Sequence, residues 1–376
     1  LRRAAVRRIS PGMANNAKQQ KGRCTAMPPD LNVQKIAVLR ANALGDFLFA
    51  LPAIHALRTT FPMAEIVLLA KDWHAEFVPD HVPDIDRVVA VPRYPGVGAP
   101  EGASIDAKRV KDFFEQMQAE QFDLAFQMHG GGRHSNRFVR RLGAKWTVGS
   151  ATPDAPKLDD TVPYMFYQNE VLRYLELAAR VGATTDQIMP RVVVTEDDKE
   201  EARRQIGNTA DYVVVHPGAT DPRRRWPIAK FAAVANEYLK RDFSVFITGS
   251  EDERLITEEV SALTEYEAVD ISGTLSLGGL AGLLAGARLL VSNDTGPLHL
   301  ARAVGCPTVG IYWVGNFITA GPMRHAQHLS LLSWRTQCPV CKEPCVPIGV
   351  KGCEHNESFV DDVTIKEVME AAEQLL

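Results

Sequence analysis

The sequence lacks any run of about 18 consecutive apolar residues, so we expect no membrane-spanning helix from it. A substrate held in a membrane would have to be met at the membrane surface. Neither half of the chain carries a GxGxxG motif after its first apolar strand, which argues against a nicotinamide dehydrogenase. The chain also lacks an excess of basic residues: its formal net charge is −4, which argues against nucleic acid as a partner.

Cysteine is scarce over most of the chain, and this scarcity fits the reducing conditions of a cytosol. Only Cys24 and Cys306 lie outside a cluster near the C-terminus. The cluster contains the segment CPVCKEPC (338–345), followed by Cys353 and His355.

The C-x2-C spacing in this cluster is typical of zinc ligands. We therefore treat four thiols as a candidate zinc site: Cys338, Cys341, Cys345 and Cys353. Free thiols or a disulfide in a surface loop are the alternative interpretation. Nothing in the expected chemistry requires this cluster.

The first 33 residues lack the apolar core of a secretory signal and contain no acidic residue before Asp30. They carry seven basic residues: Arg2, Arg3, Arg7, Arg8, Lys18, Lys21 and Arg23. We interpret residues 1–33 as a basic, disordered extension, with Met13 or Met27 as the native start. A basic arm that contacts anionic lipid is the alternative.

From Lys35 onward, short apolar runs alternate with segments of helical periodicity. We expect strands in the first half at 35–39, 65–70, 86–91, 122–128 and 146–149, and a long helix at 164–181. The second half repeats the pattern, with strands at 212–218, 243–250, 268–272, 288–294 and 307–313. This βαβα alternation predicts an α/β protein of two Rossmann-like lobes, each with a parallel sheet covered by helices on both faces.

Polar residues follow five of these strands, at 40–46, 129–133, 216–225, 248–253 and 293–299. Open parallel sheets bind ligands beyond the carboxyl ends of their strands. The sequence therefore predicts one shared site in a cleft between the two lobes.

The first of these segments belongs to LRANALGDFLFALPAI (39–54), which we expect to form a strand, a tight turn and a helix. Gly45 permits a turn or a close approach to a ligand. Asp46 falls at the helix start, where it either caps the helix or points into the cleft. The two interpretations are compatible. The segment HGGGR (129–133) resembles a lipase oxyanion loop, but no GxSxG motif accompanies it, so we favour a flexible loop near an acceptor.

Two segments of the second half are suited to an anion. In VVVHPGATDPRRRWP (213–227), Gly218 and Thr220 can approach phosphate oxygens, and the arginine run provides a cation or is simply solvated. In SNDTGPLHLARAVGCPTVGIY (292–312), Asp294, Thr295 and Gly296 precede a helix whose free N–H groups favour an anion. His299 either faces the ligand or packs.

The segment FITGSEDE (246–253) ends a strand with several carboxylates. One of them can hydrogen-bond a ribose, as in dinucleotide folds. Alternatively, they are acidic residues that favour the first turn of a helix.

Taken together, ALGDFLFALPAI, HPGATDPRRRWP, TGSEDE and SNDTGPLHLARAVGCP resemble glycosyltransferase family 9, whose best-known members are ADP-heptose:lipopolysaccharide heptosyltransferases. The resemblance spans roughly residues 34–376. It implies a GT-B fold, with an acceptor-side lobe at 34–185 and a nucleotide-sugar-binding lobe at 186–376. We also consider a return of the last helix to the first lobe. The reaction implied is inverting and metal-independent, and it requires no cofactor.

The resemblance also implies roles for individual residues. Asp46 matches the family's catalytic base, and Arg40 matches a basic residue that meets acceptor phosphate. Arg224 stands where the family usually has lysine to bind donor phosphate, and arginine keeps the charge but changes the geometry. Further donor contacts fall on Gly218, Thr220, Glu253 (with Glu251 as a weaker match), Asp294, Thr295, Gly296 and His299.

The function implied is transfer of a sugar, heptose from ADP-heptose, onto a lipopolysaccharide-core or other envelope glycan. The partners would be a nucleotide-sugar and a glycolipid or glycan acceptor. We expect a cytoplasmic protein with peripheral contact to the inner membrane. One alternative is a sugar-nucleotide epimerase or hydrolase on the same fold. A non-catalytic nucleotide-sugar-binding protein is another, but a pure sensor would not need Asp46.

Overall fold

The computed structural model describes residues 27–28, 30–346 and 353–376. The basic extension expected at 1–33 lies almost entirely outside the described residues, as does Cys24. Within the described part, no helix is both long and apolar enough to cross a membrane.

The first lobe is built on a sheet of six parallel strands. They are β1 (Lys35–Leu39), β2 (Glu65–Ala70), β3 (Arg87–Ala90), β6 (Leu124–Gln127), β7 (Trp146–Ala151) and β8 (Asp160–Pro163), with the two-residue strands β4 (Tyr94–Pro95) and β5 (Gly98–Ala99) forming a separate pair. The order across the sheet is β3-β2-β1-β6-β7-β8. The central strands are apolar along their length because helices cover both faces of the sheet.

The helices of this lobe are α1 (Leu44–Leu48), α2 (Leu51–Thr60), α3 (Asp72–His81), α4 (Ala107–Ala119), α5 (Ser135–Arg140) and α6 (Glu170–Ala179). The expectation of a helix from 164 was wrong, because α6 begins at Glu170. Asn169 caps this helix, and its side chain accepts a hydrogen bond from the Val171 N–H at 3.1 Å. Residues 164–169 precede the helix, and two of them, Tyr164 and Phe166, reach the cleft.

The second lobe repeats the architecture. Its strands are β9 (Tyr212–His216), β10 (Ser244–Ile247), β11 (Val269–Asp270), β12 (Leu289–Asn293), β13 (Thr308–Trp313) and β14 (His328–Ser333), and all pair in parallel in the order β11-β10-β9-β12-β13-β14. Its helices are α7 (Glu196–Ile206), α8 (Ile228–Leu239), α9 (Arg254–Ala262), α10 (Leu277–Gly286), α11 (Gly296–Ala303), α12 (Val314–Ala320) and α13 (Ile365–Glu373).

The two sheets share one topology. In each, the strand order reverses beside the first strand, between β1 and β6 in one lobe and between β9 and β12 in the other. Crevices at such reversals are the usual ligand sites of open α/β sheets. The predicted α/β architecture of two Rossmann-like lobes is confirmed, although β8 and β14 were not expected.

The last helix packs on the second lobe, so the suggested return to the first lobe was wrong. Its apolar face, which includes Val368 and Ala372, is buried in the same cluster as Trp226 and Phe231. A second buried cluster contains residues of both lobes, with Phe49 from the first and Leu298 from the second. The lobes therefore meet through apolar packing beside the cleft.

Candidate active site

A cavity of about 290 Å³ lies between the lobes, beyond the carboxyl ends of β1 and β12. Its lining combines residues from both halves of the chain: Ala43, Gly45, Asp46, Phe49, Tyr164, Phe166, Glu170, Thr220, Arg224, Asp294, Thr295, Gly296, His299, Asn316, Thr319 and Ala320. Seven of the site residues predicted from the sequence are thus brought together here: Asp46, Thr220, Arg224, Asp294, Thr295, Gly296 and His299. A larger cavity of about 630 Å³ lies behind α11 and contains none of them.

Asp46 stands at the mouth of the first lobe. It is not the N-cap that the sequence suggested, because Ala43 holds that position and no side chain caps the helix. Asp46 is instead the third residue of α1, and its side chain is 43% exposed. A carboxylate in this first turn is favoured by the helix dipole and remains free to meet a ligand.

Arg40, directly after β1, holds Asp46 in place. Its Nη2 lies 3.2 Å from the Asp46 Oδ1, and its Nε donates to the Asp46 carbonyl at 2.8 Å. Its Nη1 donates to the Met128 carbonyl at 2.7 Å and to the Tyr174 hydroxyl at 2.5 Å. The guanidinium is only 1% exposed and does not line the cavity. The expected contact with acceptor phosphate therefore does not fit this geometry, which is that of a residue that positions Asp46.

Glu170 and Tyr174 complete this network, and sequence reasoning missed both. Tyr174 donates its hydroxyl proton to the Glu170 carboxylate, which also lies 3.5 Å from the Arg40 Nη2. Glu170 forms a further ion pair with the buried Arg173, at 3.0 Å. Burial raises the pKa of Tyr174 well above its ordinary value, so it remains a hydrogen-bond donor at neutral pH. The only available signal was a glutamate at a helix start, which is common without function.

Gly45 allows the second lobe to approach the helix that carries Asp46. A Cβ atom at Gly45 would stand 2.7 Å from the Cδ2 of His299, too close for any other residue without a shift. The His299 ring also packs edge-on against Phe49, with ring centroids 4.6 Å apart. Gly45 thus allows close contact between the two lobes. The sequence led us to expect a turn or a close approach to a ligand at this position instead.

His299 is part of a buried chain of polar groups. Its Nε2 lies 3.2 Å from the Asp294 Oδ1, and its Nδ1 accepts a hydrogen bond from Arg302 at 3.1 Å. Burial lowers the pKa of His299, so the ring is neutral and donates through Nε2. Burial alone would raise the pKa of Asp294, but the His299 hydrogen bond and the nearby Arg224 hold it below its ordinary value. His299 packs against Phe49, as one of the two expectations had it, and it also lines the cavity.

Of the three consecutive arginines, one faces the cavity. The Arg224 Nη1 lies 3.5 Å from the Asp294 Oδ2, and Arg224 is a cavity residue. Arg223 instead forms a fork with Asp221, with its Nη2 2.7 Å from the Asp221 Oδ2. The Arg225 Nε donates to the Ala219 carbonyl at 2.8 Å. Because Arg224 and Arg225 make these contacts within the protein, only part of the arginine run is solvated. Trp226, which follows the run, is buried in the hydrophobic core.

The remaining predicted donor residues, Gly218 and Glu253, lie beside the cavity and do not line it. A Cβ atom at Gly218 would collide with the Glu253 Oε1, so glycine permits the carboxylate to approach the end of β9. Ser250 donates to the Glu253 Oε2 from its N–H at 2.9 Å. Glu251, the weaker match, pairs with Arg254 at the surface.

Asn293 connects the end of β12 to the loop that follows β9, and we did not single it out from the sequence. Its Oδ1 accepts from the Trp226 N–H at 2.9 Å, and its Nδ2 donates to the Pro217 carbonyl at 2.7 Å. It is completely buried at the end of β12. An asparagine between an apolar strand and an Asp-Thr-Gly turn was the signal that could have marked it.

His129 organises the HGGGR loop on the opposite side of the cleft. Its Nδ1 accepts from the Ala41 N–H at 3.3 Å, and its Nε2 lies 3.1 Å from the Gly96 carbonyl. Burial lowers the pKa of His129 to about 4, so the ring is neutral. Gly132 has a φ of 87°, and a Cβ atom there would collide with Asn136, so this loop needs its glycine.

The cysteine cluster does not line the cleft cavity. Its ligand atoms gather in a combination different from the one expected. Cys338, Cys341 and Cys353 lie together with His355, whereas Cys345 is not part of this group. Spacing alone could not show that His355 reaches the thiols.

Two parallel sheets with identical topology enclose a cleft with a carboxylate from one lobe and a helix N-terminus with an arginine from the other. This arrangement, together with the family match over residues 110–347, gives the class of protein. It is a glycosyltransferase with the two-lobed GT-B fold. A family model, described as glycosyltransferase family 9 (heptosyltransferase), matches residues 110–347. The chain belongs to this family.

Relatives and solved structures agree with this assignment. The chain is 21% identical over 305 residues to the lipopolysaccharide core heptosyltransferase OpsX of Haemophilus influenzae, covering 79% of this chain and 84% of that protein. A family 9 glycosyltransferase structure from Veillonella parvula aligns with a TM-score of 0.75 at 20% identity, over 93% of this chain and 98% of the other. The ADP-heptose lipopolysaccharide heptosyltransferase II structure from E. coli aligns with a TM-score of 0.71 at 18% identity, over 91% and 98%.

Proposed function

We propose that this glycosyltransferase moves heptose from ADP-heptose onto a lipopolysaccharide-core acceptor, with inversion at the anomeric carbon and Asp46 as the base. The observation that carries this proposal is the placement of Asp46 and the N-terminus of α11 on one cavity. A carboxylate suits a nucleophilic hydroxyl, and a helix N-terminus suits a diphosphate. The sugar and the acceptor class are those of the relatives, a lipopolysaccharide core heptosyltransferase and an ADP-heptose lipopolysaccharide heptosyltransferase.

The diphosphate of the donor would lie between Arg224 and the start of α11. Thr295 is the N-cap of this helix, and its side chain makes no capping hydrogen bond. Thr295, Thr220 and Gly296 all line the cavity, and we assign the donor phosphate oxygens to the two hydroxyls and the Gly296 N–H. We assign the adenosine ribose to Glu253, whose Oε1 approaches the backbone at Gly218.

Transfer needs one bond made and one broken. The acceptor oxygen attacks the anomeric carbon as its proton passes to Asp46, and the bond to the diphosphate breaks on the opposite face. Arg40 donates a hydrogen bond to the Asp46 Oδ1, while Oδ2 makes no hydrogen bond with the described residues. Oδ2 is accordingly the atom that takes the proton. The electron pair leaves with the nucleoside diphosphate, whose growing charge meets Arg224 and the α11 N–H groups.

We further propose that this step uses no metal ion. Two kinds of group, a guanidinium and a helix N-terminus, already face the place where charge develops. Within the described ranges, the one group of His, Cys, Asp or Glu side chains spaced to hold a metal is the cysteine cluster, which lies outside the cavity. Turnover that is unchanged by added magnesium or manganese supports this part of the proposal, and turnover that requires either ion contradicts it.

The acceptor side of the cleft carries exposed apolar side chains. Met165, Phe166 and Tyr167 are 61%, 41% and 39% exposed, and Phe166 also lines the cavity. Such a patch beside a site is suited to the apolar part of a glycolipid or to a membrane surface. We propose that it is the point of peripheral membrane contact. Co-flotation with anionic vesicles should fall for Met165→Ser with Phe166→Ser, and unchanged flotation would remove this assignment.

The donor is tested by calorimetric titration of ADP, GDP and UDP, with and without magnesium. We expect ADP to bind best and magnesium to leave its affinity unchanged. Transfer is then measured with ADP-heptose and heptose-free lipopolysaccharide core, by mass change of the acceptor. A preference for GDP or UDP would overturn the ADP-heptose assignment while leaving the family intact. Release of ADP without any acceptor product would overturn the acceptor class.

A further inference from the structure

Three thiols and one imidazole converge near the C-terminus. The ligand atoms of Cys338, Cys341, Cys353 and His355 all lie within 4.8 Å of one another. In a tetrahedral zinc site with Zn–S bonds of about 2.3 Å, neighbouring ligand atoms stand about 3.8 Å apart. A contraction of about 1 Å would thus bring this group to coordination distance.

The backbone around the first two cysteines is arranged as a compact loop. The Cys338 N–H donates to the Glu343 carbonyl at 2.9 Å, and the Lys342 N–H donates to the Cys338 carbonyl at 3.1 Å. The Val340 N–H points at the Cys338 sulfur, at 3.4 Å. Lys342 adopts a φ of 64°, a conformation uncommon for residues other than glycine. The loop buries Cys338, leaves Cys341 exposed and directs an N–H at the Cys338 sulfur, a contact of the kind that orients metal ligands.

His355 provides a second, independent observation. Its Nδ1 is buried and finds no hydrogen-bond partner in the described part of the chain. A buried polar atom without a partner is costly, so native proteins rarely leave one unsatisfied. An ion among the three thiols would satisfy this atom. The cysteines of the cluster are free thiols in the structure, the form that can bind a metal once deprotonated.

We propose that Cys338, Cys341, Cys353 and His355 bind one zinc ion in a closed, structural site. Four protein ligands leave no open position for substrate or water, which distinguishes a structural from a catalytic zinc site. Three sulfurs and one nitrogen are a common ligand set for zinc. Cys345, four residues after Cys341, stays outside the group and is the matched control.

The proposed zinc site is connected to the loop that carries Arg224. The segment directly after His355 holds the backbone on both sides of Arg224. The Phe359 N–H donates to the Arg223 carbonyl at 2.7 Å, and the Ser358 hydroxyl donates to the Arg225 carbonyl at 2.6 Å. Zinc would anchor one end of this segment, while the packing of Phe359 and α13 anchors the other. Loss of the ion should therefore loosen the loop that presents Arg224, a consequence that rests on the proposed donor function.

Metal content is measured first, by mass spectrometry of full-length protein expressed with added zinc and iron. We expect about one equivalent of zinc, lost in Cys341→Ser and in His355→Gln and kept in Cys345→Ser. Cobalt substitution should give the spectrum of a tetrahedral thiolate site. Sub-stoichiometric zinc in the wild type, iron in its place, or equal zinc in Cys341→Ser would overturn the assignment. Because the wild type is itself measured, a variant that fails to fold leaves the test intact.

The effect of zinc on the loop that carries Arg224 is measured separately, as the affinity for ADP determined by calorimetry. We expect roughly tenfold weaker ADP binding in zinc-free Cys341→Ser, and wild-type affinity in Cys345→Ser. Unchanged affinity in zinc-free protein would overturn the link but not the metal site. If the wild type bound no ADP, the proposed donor would fail, and the metal content would still decide the zinc assignment.

Discussion

The imidazole of His299 packs directly against the Cα of Gly45, so that a Cβ atom at Gly45 would lie 2.7 Å from the His299 Cδ2. This contact joins α1, which carries Asp46, to α11, whose N-terminus we propose as the donor phosphate site. His299 cannot easily move away, because Asp294 and Arg302 hold its two ring nitrogens. The distance between the two halves of the site is thus set by two features: Gly45 has no Cβ atom, and hydrogen bonds fix the ring of His299.

Gly45→Ala should separate the two helices. We expect a loss of about 1–3 kcal/mol in the free energy of unfolding, together with reduced transfer. Chemical denaturation and a transfer assay measure the two effects. The double variant Gly45→Ala with His299→Ala removes the colliding ring, so its loss of stability should be smaller than the sum of the single losses. Additive losses would show that the contact is not the cause.

Arg40→Lys should impair turnover without impairing donor binding. Lysine keeps a positive charge but cannot bond the Asp46 carboxylate, the Asp46 carbonyl and the Tyr174 hydroxyl together. Misplacement of a catalytic group by about 1 Å can cost about 10²-fold, so we expect kcat to fall by roughly 10- to 100-fold. The KM for the donor should stay near that of the wild type. A raised donor KM at normal kcat would show that Arg40 binds substrate instead.

Arg224→Gln should weaken donor binding, because it removes the cation that faces the cavity. We expect kcat/KM to fall by about 10²-fold and Arg224→Lys to recover most of the loss. Arg223→Gln is the matched control, since Arg223 is paired with Asp221 and does not line the cavity. Equal losses in the two glutamine variants would indicate a general effect of charge.

Stability should decline with acidity well before the carboxylates titrate. Burial lowers the pKa of His74, His129 and His328 from 6.5 to about 4 in each case. The unfolded chain therefore binds more protons than the folded protein between these values. The stability these groups contribute is present above pH 6.5 and is lost as the pH falls toward 4.

Denaturant titrations at about pH 7.5, above this window, and at about pH 6.0 and 5.0, within it, measure the decline. We expect the free energy of unfolding to drop by about 1 kcal/mol per pH unit or more below pH 6.5. His328→Asn should flatten this slope because it removes one of the three groups. A stability profile that stays level from pH 7 to about 5 would contradict the burial of neutral imidazoles.

Local patterns predicted much of the fold, and tertiary contacts account for what was missed. The buried runs at 35–39 and 65–70 became β1 and β2 with the same bounds, because a strand covered on both faces is apolar throughout. β8 and β14 escaped notice because both are edge strands whose sequences, DTVP and HLSLLS, mix polar with apolar residues. Helical spacing at 164–169 likewise hid a segment that turns toward the cleft.

The site was predictable to the extent that strand ends meet at one edge of a sheet. Asp46, Arg224 and Asp294 share the cavity for this reason. The burial of Arg40 against Glu170 and Tyr174 was not predictable, since those residues lie over a hundred positions apart in the chain. The replacement of Cys345 by His355 in the metal group depends in the same way on the path of the chain.

The most direct test of the central claim is transfer by Asp46→Asn. Asparagine keeps the size of the side chain and can still accept from Arg40, but it cannot take a proton from the acceptor hydroxyl. With ADP affinity and thermal stability near those of the wild type, we predict that turnover falls by about 10²-fold or more. Near-normal transfer by a folded, ADP-binding Asp46→Asn protein would contradict the assignment of Asp46 as the base.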